Sequence, residues 1–434
     1  MNKISTIKFI KLFIFLLPLI PGCNCGRNDH DYRRSAPKDE KKEVIAPPEL
    51  SIPELRKVIF FIENSGSMLG YVSQANEFKN SLVSLAYLPE FDKINKSFYF
   101  INGTSNLNKK SRIYTEYEGN DPEIFKNNLN KKAFSVGDPK FSDLNKMFEI
   151  ALDSAKEDQI SVLISDCIYD VGEDTDPLTA LRIEIKKTQQ AFRNRLDKEN
   201  IQTLIIKAYS KFNGSYYYAS KKGSENISDK ERPYYIIFFG NTELLNKLLT
   251  EQNIEGKIDS DHEIARYLIF DKKDIPYKII PSVNRKGDFR PDFNDIHKLT
   301  DAKPLKGEFQ FAFAADFSSL AYLSDNYLAS KENYSCSDSK FNVVNVEKIT
   351  QKIPGVVGTH LITVYTNKNP LGVLDIVLKN VTPGWVNETD TDNENSIDDT
   401  HTYGLKFLND AISEAYTYKN KGTNLATFGI VISN

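Results

Sequence analysis

The stretch that most constrains this chain is VIFFI at 58–62, which runs without interruption into Glu63-Asn64-Ser65-Gly66-Ser67. Five consecutive apolar, β-branched or aromatic residues predict a strand buried on both faces, which is a parallel-sheet signature rather than the alternation of a half-exposed strand. Glu63, Ser65 and Ser67 then fall at alternate positions, so an extended or slowly turning backbone aims their oxygens the same way. Converging carboxylate and hydroxyl oxygens suit a hard divalent cation.

The segments that follow set the fold class. Helical spacing at Phe78, Leu82, Leu85 and Leu88 predicts a helix over 75–88, and SFYFI (97–101) predicts the second strand. A stripe of Leu144, Met147, Phe148, Ala151 and Leu152 predicts a helix over 141–157, ahead of the strand ISVLIS (160–165). A long amphipathic helix (179–198), the strand IQTLIIKAYS (201–210), the strand YYIIFFG (234–240) and a helix (242–252) continue the alternation. The charged, tyrosine-rich stretch between the last two strands suggests a hairpin and a polar loop. This pattern predicts an α/β domain with a doubly wound, mostly parallel sheet over residues 52–255. Ligands of such sheets sit at the carboxyl ends of the strands.

Beyond residue 255 the pattern turns to strands, at 309–317, 341–349, 360–366, 371–381 and 426–433. A single late helix is expected over 402–418. Residues 256–434 are therefore expected to form a mainly β domain.

The first 22 residues combine three lysines among the first eleven with an apolar run from Leu12 to Ile20, which reads as a secretory signal. The ending Ile20-Pro21-Gly22-Cys23 resembles the lipobox of bacterial lipoproteins, which implies acylation of Cys23. Residues 23–51 are charged and proline-containing, the composition of a tether. The resemblance implies a lipid-anchored protein of the bacterial cell envelope. Asn24 is not the aspartate of an inner-membrane retention signal, so the outer membrane is expected.

The residues after the first strand resemble the start of von Willebrand factor A (vWA) domains. Their hallmark is Asp-x-Ser-x-Ser, and here it reads Glu63-Asn64-Ser65-Gly66-Ser67 followed by Met68. The resemblance implies a metal-ion-dependent adhesion site completed by a hydroxyl from a second loop and an aspartate from a third. Ser142, which also stands where a helix N-cap is expected, and Asp166 occupy those places, with Asp170 as a second candidate. The implied ion is Mg²⁺ or Mn²⁺, with Ca²⁺ as the larger option. Glu63 replaces the family's first aspartate and is one methylene longer.

Other features carry less. A formal charge of -3, from 56 basic and 59 acidic residues, provides no field for nucleic acid. Five scattered histidines lack zinc-site spacing, and there is no G-x-S-x-G, Walker A or G-x-G-x-x-G motif. No enzyme class is indicated, and the expected role is protein binding. Asp390, Asp392, Glu394 and Asp398 form an acidic stretch that reads as a solvated loop or a Ca²⁺ clasp. Trp385 reads as an edge-packing residue or a partner anchor, and Tyr216-Tyr217-Tyr218 as a half-buried hairpin strand. Two further functional readings stay open: a metal-independent structural adaptor, and a metal-dependent hydrolase using Glu63 and Asp166.

Overall fold

The computed structural model describes residues 53–73, 76–102, 122–135, 139–140, 142–169, 176–251, 254–260, 264–269, 274–320, 323–350, 358–394 and 400–434. The signal segment, the tether with Cys23, and Asp170 and Asp398 lie outside them.

Strand β1 (Lys57–Glu63) is buried from Val58 onward. It lies between β2 (Asn95–Ile101) and β3 (Gln159–Ser165) and is parallel to both, with Glu63 opposite Ile101 and Ile62 opposite Ile164. Alternate residues feed two cores: Val58, Phe60 and Ile62 point into one, Ile59 and Phe61 into the other. Covered faces on both sides explain the unbroken apolar run. Helix α1 (Glu77–Ala86) covers the first face, joined by Phe125 of α2 (Pro122–Asn128) and Phe134 of the short α3 (Lys131–Phe134). Helices α4 (Leu144–Ser154) and α5 (Pro177–Leu196) cover the second. Their N-caps are Asn76, Asp143 and Asp176, each accepting a backbone N–H of the first turn. Ser142 is thus not the cap expected from the sequence; Asp143, one residue on, accepts Lys146 N–H and leaves the Ser142 hydroxyl for other use.

The sheet is less parallel than its sequence suggests. Strands β4 (Ile201–Tyr217) and β5 (Ser224–Asn241) form one long antiparallel hairpin, and β5 inserts between β3 and β4. A parallel pair needs a crossover of roughly a dozen residues or more. Here residues 218–223 make only a turn, which closes at Gly223 with φ +107°. The order is β2-β1-β3-β5-β4-β6, with β6 (Ala265–Ile269) antiparallel to β4, so within this sheet parallel pairing is confined to β1, β2 and β3. Helix α6 (Thr242–Glu251) follows β5.

The later chain is mainly β. Strands β7 (Tyr277–Ile280), β8 (Asp288–Pro291), β9 (Lys298–Lys303) and β10 (Phe309–Ala315) precede a short helix α7 (Asp325–Ala329). Next come β11 (Tyr334–Cys336), β12 (Asn342–Lys348), β13 (His360–Thr366) and β14 (Gly372–Lys379). Helix α8 (Gly384–Thr389), the two-residue strands β15 (Asp390–Thr391) and β16 (Thr402–Tyr403), helix α9 (Leu405–Asn420) and β17 (Asn424–Ile432) end the chain. Two sheets, β12-β13-β10-β7 and β11-β14-β17-β9-β8, share a core in which Phe313 of β10 meets Phe428 of β17 at 5.1 Å.

The late helix does not cover that β core. Leu405, Leu408, Ile412 and Tyr416 of α9 belong to the core of the first sheet's second face. The Tyr416 hydroxyl lies 2.9 Å from Thr203 Oγ1 and donates to the Ile201 carbonyl of β4. The chain beyond residue 255 thus contributes both β6 and a covering helix to the N-terminal α/β layer.

Candidate functional site

At the carboxyl end of β1 the chain leaves the sheet through a tightly tied turn. Asn64 N–H donates to Ile101 O, and the Asn64 side chain donates to Phe134 O at 3.1 Å. Gly66 N–H donates to Pro139 O at 2.7 Å, joining this turn to the segment before α4, and Ser67–Gly70 then form one 3₁₀ turn. Gly66 lets Tyr217 of β4 approach closely: a Cβ there would stand 3.0 Å from the ring, so the half-exposed tyrosine would have to give way.

Three segments converge on Glu63, whose side chain is 1% exposed. Ser142 donates to its Oε1 at 2.8 Å, and Ser165, the last residue of β3, donates to its Oε2 at 2.5 Å. Ser65 also hydrogen-bonds to Glu63, and Ser65 Oγ lies 2.9 Å from Ser67 Oγ. Ser67 in turn hydrogen-bonds to Asp166, a second buried carboxylate, which accepts Ile168 N–H at 3.2 Å. All five residues named from the sequence, Glu63, Ser65, Ser67, Ser142 and Asp166, therefore meet in one network.

Burial raises the Glu63 carboxyl to about 7, and the nearby Asp166 carboxylate adds to the shift against the three serine hydroxyls. Burial likewise raises Asp166, opposed by Ser67, Ile168 N–H and the charge of Arg232. Two acids in one dry cluster hold onto protons chiefly because burial disfavours the charged form, and at Glu63 the neighbouring Asp166 charge adds to this. Immediately beyond, Cys167 adopts φ +57°, a left-handed conformation that a side chain rarely takes, and its N–H donates to Ser165 Oγ at 2.8 Å. Burial pushes its thiol well above the ordinary range.

Above the network opens a cleft of about 470 Å³, lined by Ser65, Ser67 and Ser142 on the floor and by Tyr169, Tyr217 and Lys221 among its walls. Glu63 and Asp166 lie beneath the floor rather than in it. One wall is the β4–β5 hairpin, locked to the serine turn by Gly70, where a Cβ would fall 2.3 Å from the Phe212 ring.

The donor set suits an ion in part. In an octahedral site with bonds of roughly 2.0–2.1 Å, neighbouring ligand oxygens stand about 2.9 Å apart, which is the Ser65–Ser67 spacing of 2.9 Å. Ser65, Ser67 and Ser142 supply hydroxyl oxygens, with Asp166 behind Ser67. Glu63 fits poorly as a ligand, because it is buried and absent from the cleft lining, with each of its oxygens turned to a serine hydroxyl. Among the described residues no group of three or more His, Cys, Asp or Glu is placed to hold a metal.

Sequence reasoning missed three contributors: Ser165, Tyr217 and Glu394. A serine ending a fully buried strand was the available signal for Ser165, since a buried hydroxyl must find a partner. The acidic stretch does not act as one clasp: Asp390 accepts Lys406 N–H at the start of α9, whereas Glu394 turns inward to the hairpin. Trp385 packs inward too, donating from Nε1 to Arg266 O. Tyr216 is buried and Tyr217 half exposed, as a half-buried strand requires.

No protein-family model matches this chain, and no curated protein or solved structure matches it either.

Proposed function

We propose that the chain is a non-catalytic binding protein, anchored to the bacterial cell envelope through a lipidated Cys23, that engages a protein partner at the cleft above Ser65–Ser67 without requiring an ion. In this reading the α/β layer is a vWA-like platform serving as a structural adaptor at the outer membrane. The observation that carries it is the engagement of both Glu63 oxygens by serine hydroxyls of the chain itself. The residue standing where the resemblance calls for the first aspartate uses its extra methylene to bond Ser142 and Ser165, so the chain satisfies its own cluster. A partner then recognises a rigid, tyrosine-walled surface.

A second reading, a divalent cation held by Ser65, Ser67 and Ser142 with Asp166 through water, is favoured by the octahedral edge between Ser65 and Ser67. Such an ion would present an open coordination position to a partner's carboxylate. A hydrolase finds no support in the cleft lining, because Glu63 and Asp166 lie beneath it.

A photo-crosslinking residue in place of Tyr217, in membranes carrying the full chain, tests the first reading. The expected result is a discrete protein adduct that persists in EDTA. An adduct that vanishes in EDTA and returns with Mg²⁺ or Mn²⁺ supports the second reading, as does saturable heat on titration of the purified chain with those ions that Ser65→Ala abolishes. Absence of any adduct from the cleft overturns both.

A further inference from the structure

The tip of the β4–β5 hairpin is built like an anion receptor. Ala219 N–H and Ser220 N–H are successive main-chain donors, 3.1 and 2.7 Å from the two oxygens of Glu394. The Ser220 hydroxyl adds a third bond at 2.7 Å and the Tyr216 hydroxyl a fourth at 2.5 Å. Consecutive amides pointing at one spot make a concavity for negative charge, and hydrogen bonds to an ionised oxygen are about twice as strong as neutral ones. Arg232 stacks on the Tyr216 ring at 4.5 Å and donates to His401 O, so a buried guanidinium backs the same place. Glu394 itself is 5% exposed and arrives from the chain segment that also carries β15 and β16.

We propose that the hairpin tip is a carboxylate-binding site that the chain fills with its own Glu394, and that this occupancy closes one wall of the cleft. Tyr217, Tyr218, Ala219, Lys221 and Gly223 of that tip line the cleft. Their position is set by a residue nearly at the other end of the sequence. A second carboxylate, offered in trans on an acidic side chain, has the same chemistry as Glu394 and competes for the same four donors. The inference does not depend on whether an ion binds at the serine turn or on who the partner is.

The test is chemical rescue in the full chain. Glu394→Ala is expected to speed amide exchange at Ala219 and Ser220 by about tenfold or more, because one buried amide, one part-buried amide and a phenol lose their shared acceptor. Exchange in β1 and β3 stays unchanged. Tryptic cleavage at the exposed Lys221 and Lys222 accelerates in parallel. Acetate or propionate in excess restores a large part of the protection, while chloride at equal ionic strength does not. Should Glu394→Ala fail to fold, Ser220→Ala removes one of the four donors and is expected to speed tip cleavage a few-fold. Unchanged tip exchange, acceleration spread evenly over the sheet, or protection that carboxylates fail to restore would each overturn the proposal.

Discussion

Two buried glutamates bracket the cleft, and the chain solves their burial in different ways. Glu63, under the floor, is held by side-chain hydroxyls from its own turn, from the segment before α4 and from the end of β3, with Asp166 close enough to repel it. Glu394, behind the wall, is held by two main-chain amides and two hydroxyls of a hairpin tip some 175 residues away in sequence. The first arrangement raises the Glu63 carboxyl above the ordinary glutamate range, chiefly through burial. The second ties the far end of the chain to the site. A buried carboxylate can therefore serve either as a local keystone for strand ends or as a long-range fastener, according to what donates to it.

The sharpest way to break this comparison is to delete the fastener. Glu394→Ala strands two amides, Ser220 Oγ and the Tyr216 hydroxyl, and should lower stability by about 3 kcal/mol in urea denaturation. A loss below about 1 kcal/mol would mean that the hairpin finds other acceptors and that the two glutamates are not comparable.

A somewhat smaller loss is expected where the wall and the floor touch. The Cβ of Gly70→Ala meets the Phe212 ring, itself packed edge-on against Tyr71 at 5.0 Å, so the hairpin or the 3₁₀ turn must shift. Overpacking of this kind costs about 2 kcal/mol. Thermal unfolding checks it, and a neutral result would show that floor and wall move independently.

How far all this was legible follows from what leaves a mark in sequence. Strands buried on both faces, such as VIFFI and ISVLIS, advertise themselves through continuous apolar residues, and so do the helices that cover them. The outer half of the hairpin does not: residues 211–217 and 224–233 continue β4 and β5 with lysine, asparagine, serine and glutamate, because only one face of that arm is covered, through Phe212, Tyr216 and Ile227. Reading those residues as a connection made the two inner strands look like parallel neighbours. Short strands such as KLTDAK alternate over too few positions to stand out from a loop. In the site, the alternation after the first strand located Glu63, Ser65 and Ser67, and the resemblance to vWA domains pointed to Ser142 and Asp166. Neither had any purchase on Glu394, which lies some 175 residues from its partners and draws half of its donors from backbone amides that any residue carries.

The keystone is probed by pH. Glu63 is raised from 4.5 to about 7, so between those values the folded chain holds a proton that the unfolded chain has released. Stability therefore falls as pH rises through that window and levels off above it. Glu63→Gln keeps the shape and removes this ionisation, which should flatten the decline by about 1–2 kcal/mol between pH 5 and pH 8. Asp166, shifted the same way by burial, leaves a residual slope. Parallel curves for the two proteins would show that Glu63 ionises in the fold as it does in the open chain.

The smallest effect belongs to Ser65, and it separates the two roles a hydroxyl can play at the floor. Ser65 shares a hydrogen bond with Ser67 and adds one to Glu63, yet Ser142 and Ser165 continue to satisfy both carboxyl oxygens when it is gone. Ser65→Ala should therefore cost less than about 1 kcal/mol. If Ser65 serves only the keystone, added Mg²⁺ or Mn²⁺ leaves the melting temperatures of the wild-type chain and of Ser65→Ala unchanged. An ion on the Ser65–Ser67 edge binds the folded chain alone, so it raises the wild-type melting temperature in proportion to the logarithm of its concentration and leaves the variant behind. That divergence would make Glu63 the support of a metal site, and its difference from Glu394 would then lie in what each carboxylate presents to a ligand.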